Sequence, residues 1–140
     1  MSEKITCPFM GDIPIYVDYH DNEWGRPVHD DSKLFEILTL EIMQTGLSFL
    51  TVLKKREGLR QAFDGFDPHK VALYGDSKIE ALMANDGIIR NRLKIGATIN
   101  NARLFGGVAE KHGSFDRFIW EYVNYIPIVR APTGYPSAGF

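Results

Sequence analysis

The 140-residue chain is 44% hydrophobic and 12% aromatic, which suits one packed domain and excludes an intrinsically disordered chain. The lone cysteine, Cys7, excludes an intrachain disulfide, and no apolar run approaches the ~18 residues of a bilayer span. A net charge of −2 does not by itself advertise a polyanion binder, but the charge is unevenly spread, with −6 in residues 1–53 and +4 in residues 54–103. With no apolar leader at the N-terminus, these features predict a soluble, cytoplasmic, monomeric protein with no membrane partner.

In chain order, the first two dozen residues hold Pro8, Gly11 and Pro14 and predict an irregular, aromatic-rich segment. Asp31 or Ser32 can cap a helix running to about Gln44, with Leu34, Ile37, Leu38 and Ile42 apolar at helical spacing. Gly46 ends it, and Ser48 caps a second helix from Phe49 to Phe63. Asp67-Pro68 opens a short helix reaching Leu73. Ser77 and Glu80 match a capping box for a helix ending near Asn85. After the Asp86-Gly87 stop, a long helix runs from about Arg92 to Lys111, with Ile95, Ile99, Ala102 and Phe105 on one face. Ser114 can cap a last helix through Tyr122. No segment alternates as a strand, so the predicted class is all-α. From Tyr125 onward, three prolines and two glycines rule out a helix.

Four constellations can carry chemistry. Leu34, Leu38 and Glu41 share a helix face, which predicts a partly desolvated carboxylate. Such a group suits the floor of a binding pocket, and equally a structural glutamate bonded to a nearby loop. Phe9, Tyr16, Tyr19, Trp24 and Phe49 form an aromatic set able to stack on a flipped base or attract a cation, or simply to pack a core. Residues 86–92 place a glycine turn before a basic helix start, which suits a phosphate seat between two capped helices; an ordinary αα-turn is the alternative. From Gly87 to Ala109 there is no acid, while Arg90, Arg92, Lys94 and Arg103 are present. Cys7 and His20, thirteen apart, match half of a tetrahedral zinc set, and also a buried thiol beside a hydrogen-bonded imidazole.

The sequence resembles the 3-methyladenine DNA glycosylase I family in four ordered blocks. These are Tyr19-His20-Asp21-Asn22-Glu23-Trp24-Gly25, then Leu40-Glu41, Gln44, Gly46-Leu47-Ser48 and Thr51-Val52-Leu53-Lys54-Lys55-Arg56-Glu57. Gly87-Ile88-Ile89-Arg90-Asn91-Arg92 with Lys94-Ile95 and Asn101-Ala102-Arg103 is the third, and residues 115–124, ending Tyr122-Val123-Asn124, are the fourth. The resemblance covers residues 5–128. It implies a helix-hairpin-helix DNA glycosylase domain over residues 1–128, followed by a divergent tail at 129–140.

What the resemblance implies for function is base-excision repair of double-stranded alkylated DNA. The enzyme would be a monofunctional DNA-3-methyladenine glycosylase that hydrolyses the N-glycosidic bond. Glu41 would read the damaged base, and Tyr16, Tyr19, Phe49 and Phe9 would wall its pocket, the two phenylalanines standing where the family usually has tryptophan. Leu47 would wedge into the gap left by the flipped nucleotide. Gly87, Ile88, Ile89, Arg90, Asn91 and Lys94 would hold the DNA backbone. Cys7 and His20 would be two of four ligands to a structural zinc, the other two falling in a later family segment that residues 129–140 do not match. The alternative to this enzymatic reading is a non-catalytic helix-hairpin-helix DNA-binding module or an inactive truncated fragment.

Overall fold

The structure is a computed structural model that describes Cys7 and residues 11–129. Among these residues all regular structure is helical: α1 (Pro14–Asn22), α2 (Asp31–Gln44), α3 (Phe49–Ala62), α4 (Pro68–Val71), α5 (Asp76–Met83), α6 (Arg92–His112) and α7 (Phe115–Trp120). The all-α expectation holds. None of these helices is long and apolar enough to cross a membrane.

The caps explain most boundaries. Asp30, Ser48, Asp67, Asn91 and Ser114 accept hydrogen bonds from backbone N–H groups two or three residues on, opening α2, α3, α4, α6 and α7; such caps contribute ~1 kcal/mol each. Asp31, expected as a cap of its own helix, instead accepts from the Phe115 and Asp116 amides at 3.0 and 2.8 Å. It thus pins the start of α7 to the start of α2. Ser77 and Glu80 form no capping box: α5 begins one residue earlier, after Gly75 with no side-chain cap, and Glu80 pairs with Arg92 across the surface.

The segment expected to be irregular contains α1. Pro14 stands at the first helical position, where its missing N–H is not needed and its fixed φ favours the helix. No residue of α1 is buried, and the helix lies against α3.

The long α6 is the axis of the bundle, with α2, α4, α5 and α7 against it. Its Ile95, Ile99, Ala102 and Phe105 are buried, as the periodicity predicted. They meet Phe35, Leu40 and Met43 from α2, Val52 and Leu59 from α3, and Phe63, Phe66 and Val71 beyond it. Full burial of each large side chain contributes about 1.5–3 kcal/mol. The inward face of α2 is therefore Phe35, Glu36, Thr39, Leu40 and Met43, not the stripe through Leu34 and Leu38. Leu38 is exposed.

Two lysines fasten the connection between α5 and α6 to the rest. Lys55 Nζ donates to the Asp86 carbonyl at 2.7 Å. Lys94 Nζ donates to the Met43 and Thr45 carbonyls at 2.8 and 2.7 Å, satisfying the free end of α2. Gly58 permits the close approach of α3: a Cβ there would overlap the Gly87 carbonyl oxygen. Alanine at 58 would gain up to ~1 kcal/mol of helix propensity, but both colliding groups are backbone-anchored. Gly58→Ala is therefore expected to lower stability by about 1–3 kcal/mol, read as a reduced denaturation midpoint in urea.

Candidate functional site

A bowl of about 320 Å³ opens between α1, α2 and α3. Its wall from α1 and the turn after it consists of Tyr16, Tyr19, His20 and Trp24; α2 contributes Glu41 and Gln44; α3 contributes Phe49; Cys7 completes the rim. The residues expected to act together from the sequence are thus brought together, with one exception. Phe9 lies outside the described residues.

Glu41 faces this bowl but is exposed, which corrects the expectation of a buried anion. The helical repeat gives the reason. With 3.6 residues per turn, position 41 falls nearly opposite the buried Phe35, Thr39 and Met43. Leu34, at the start of the stripe, still packs on the edge of the core, but Leu38 and Glu41 look away from it.

The rings are arranged for contact. Tyr19 and Phe49 lie 4.8 Å apart between centroids, tilted by 56°, a direct aromatic contact. No flat ligand fits between them, so the stacking surface on offer is the side of this pair that faces the bowl. Burial, reinforced by the negative charges of Glu41 and Glu23, raises the Tyr19 phenol above its ordinary value of 10.0. Tyr19 accordingly presents a neutral hydroxyl, a donor or an acceptor, at neutral pH. Trp24, 64% exposed, stacks on His20 with centroids 5.4 Å apart.

Beneath the rings lies an ionic network. Arg56 Nη1 and Nη2 donate to the two carboxylate oxygens of Glu23 at 2.7 and 2.9 Å, and Nε donates to Glu36 at 2.7 Å. Lys33 lies 3.5 Å from Glu23 and 3.2 Å from Glu36, and Arg60 lies 2.9 Å from Glu36. Hydrogen bonds from Arg56 hold the Glu23 carboxyl below its ordinary value, against a smaller effect of burial. Burial is the largest influence on Glu36 and works against its charge, but bonding to Arg56 and the charges of Arg56 and Lys33 outweigh it, so Glu36 is also lowered. For Arg56, burial is likewise outweighed by bonds to both glutamates, and its pKa rises. Glu23, Arg56 and Gln44 were given no role of their own from the sequence. Arg56 and Glu23 carry no periodicity signal, since one sits on an inward helix face and the other just past a helix end.

Cys7 and His20 both line the bowl. His20 Nδ1 is 3.0 Å from Asp21 Oδ1, which leaves Nε2 as the nitrogen available for coordination. Two donors do not complete a tetrahedral site, and among the described residues no group of three or more possible ligands assembles.

Just past the C-terminal end of α2, Gly46 takes a left-handed conformation (φ 77°) and the turn holds Leu47 out, 41% exposed. The connection between α5 and α6 is less open than its sequence suggested. Ile88 is buried, Ile89 packs on the core, and Asn91 Oδ1 accepts the Lys94 amide. Arg90 is the exposed basic side chain of the connection and has no side-chain partner among the described residues, with Asp86 exposed nearby in sequence. Of the acid-free basic stretch, Lys94 and Arg103 spend their charge on helix-end carbonyls and Arg92 on Glu80.

The family profile described as methyladenine glycosylase matches residues 9–137. The chain belongs to this family. The match covers the bowl, the Leu47 turn and the α5–α6 connection, and it extends past Ile128 into the segment expected to diverge. Among methyladenine glycosylases, the DNA-3-methyladenine glycosylase of Haemophilus influenzae is 49% identical over 123 residues, covering 88% of this chain and 66% of that protein. DNA-3-methyladenine glycosylase 1 of Escherichia coli is 46% identical over 127 residues, covering 91% and 68%. The solved 3-methyladenine DNA glycosylase I from Staphylococcus aureus superimposes with a TM-score of 0.84 at 41% identity, over 87% of this chain and 65% of that one. A 3-methyladenine DNA glycosylase I solved in complex with 3-methyladenine gives 0.82 at 40% identity, over 85% and 64%. The chain spans about two thirds of the length of these relatives.

The lowered carboxyls make the bowl's foundation acid-sensitive. Both glutamates bind protons more weakly in the folded chain than in the unfolded one. Their stabilisation is complete above the ordinary carboxyl value of 4.5 and is lost as pH falls through the lower folded values. Urea unfolding followed from neutral pH downward should show this contribution constant to about 4.5 and declining below it, and Glu23→Gln should flatten the decline.

Proposed function

We propose that the chain excises 3-methyladenine from alkylated double-stranded DNA by hydrolysing the N-glycosidic bond, acting as a cytoplasmic monomer in base-excision repair. The observation that carries this reading is the convergence of an accessible carboxylate, Glu41, with the rings of Tyr16, Tyr19 and Phe49 in one bowl. Family membership and the 3-methyladenine named for several relatives support it.

The chemistry follows from the lesion. In DNA, 3-methyladenine is a cationic base with a weakened glycosidic bond, so the leaving group needs little acid help. Selection is the larger task. A flipped base set against the open side of the Tyr19–Phe49 pair gains cation–π attraction of about 0.5–2 kcal/mol per contact. Glu41 accepts hydrogen bonds from the base edge and favours its positive charge, an advantage a neutral adenine does not receive. The neutral Tyr19 hydroxyl can supply a further polar contact. The bond breaks through an oxocarbenium-like sugar that water captures. No lysine lines the bowl among the described residues, so no Schiff base forms and the strand stays intact.

The DNA is held by two features. The α5–α6 unit acts as a helix-hairpin-helix whose backbone at residues 87–91, with Arg90, seats phosphate. Burial of Ile88 and the bonding of Lys94 make their part in this one of shaping the hairpin. Leu47, at the exposed turn, fills the space vacated by the flipped nucleotide. Cys7 and His20 supply two of the four ligands to a structural zinc, with Asp21 orienting the imidazole. No chemical step depends on that metal.

Glu41→Gln keeps the shape of the side chain and removes its charge. Loss of a hydrogen bond to a charged group, about 1.5–3 kcal/mol, should lower excision from methylated DNA at least tenfold with an unchanged melting temperature. Excision at the wild-type rate would show that Glu41 does not read the base.

A further inference from the structure

Resting on the glycosylase reading above, we propose that Arg56 is a positioning residue whose single guanidinium sets the spacing of all three walls of the base-binding bowl. The wall richest in aromatic residues is also the least anchored. Tyr16, Tyr19 and His20 sit on α1, a nine-residue helix with no buried residue, whose main packing partner among the described residues is α3. Apart from the Tyr19–Phe49 contact, apolar burial does little to fix its angle.

What fixes it is the C-cap residue of α1, Glu23, held by both of its oxygens in the fork of Arg56. A bidentate pair defines orientation as well as distance. The same guanidinium reaches through Nε to Glu36, on the helix that carries Glu41, and Arg56 itself belongs to the helix that carries Phe49. One planar group thus touches an element from each wall. Lys33 approaches both glutamates and Arg60 hydrogen-bonds Glu36, but Arg60 does not reach Glu23, Lys33 is a point donor, and neither is buried as Arg56 is. They are enough to keep Glu36 compensated without defining the plane in which Glu23 sits.

Lysine in place of Arg56 keeps the charge but supplies a point donor that cannot hold two walls at once. The bowl should then loosen while the α5–α6 unit, which meets α3 through Lys55 and Gly58 and not through Arg56, is undisturbed. Glu23→Gln tests the same link without leaving a buried charge unpaired, because Arg56 retains Glu36.

The experiment compares the wild-type chain, Arg56→Lys and Glu23→Gln in three measurements: binding of free 3-methyladenine, binding of unmodified duplex DNA, and amide hydrogen exchange across the chain. Both variants are expected to bind 3-methyladenine about 10- to 100-fold more weakly, the scale of a misplaced binding group, with duplex affinity within about twofold of wild type. Exchange should accelerate in residues 16–24 and stay unchanged in α6. Wild-type affinity for 3-methyladenine in either variant would overturn the proposal. So would a parallel loss of duplex binding and α6 protection, which would mean a general loss of fold. If the wild-type chain itself binds no 3-methyladenine, the glycosylase reading fails, and the exchange data still report separately on whether Arg56 holds α1.

Discussion

A planar cation shared by two carboxylates lies under the whole functional half of this protein. Arg56 is nearly buried, and so is Glu36, and neither would be tolerated there alone. Each makes the other's burial possible, and Lys33 and Arg60 at the edge complete the compensation. The hydrophobic core assembles α2 through α6 around Phe35, Phe63 and Ile95 without reference to α1. Attachment of α1, and with it most of the aromatic surface of the bowl, falls to polar bonds whose geometry is directional where hydrophobic contact is not. That division suits a site that has to be open to a large ligand, since a wall glued down by apolar burial would close the space it is meant to frame.

Local signals in the sequence were strong enough to place most helices. Ser48, Asp67 and Ser114 cap the helices they were expected to cap, and the inward face of α6 is the one its spacing announced. The misses share a cause. Pro14 reads as a helix breaker unless the first helical turn is considered, and α1 went unseen for that reason. The Ser77 and Glu80 pattern satisfies a capping rule, but Arg92 competes for the glutamate across the turn and wins. For α2, two apolar stripes overlap. Only contact with α6 decides that Phe35, Thr39 and Met43 face inward, and that decision puts Glu41 on the open side.

The set of residues around the bowl was legible mainly through resemblance, because no rule of composition brings residue 19 to residue 49. Its electrostatics were not legible at all. Counting basic residues between Gly87 and Ala109 suggested a charged surface, yet a lysine or arginine can end on a carbonyl as readily as on a phosphate. Lys94 and Arg103 do so, at the ends of α2 and α4. The same count missed Arg56 as anything but a charge, although its partners are 33 and 20 residues away in sequence.

The bonds of Lys94 have a mechanical meaning. By gripping the carbonyls at the end of α2 from the first turn of α6, this side chain joins the protruding leucine turn to the loop that precedes α6, and Lys55 braces that loop from α3. The tip and the loop therefore form one stiff jaw with a set gap. None of these three bonds involves α1, so the spacing of tip and loop is set independently of the aromatic wall.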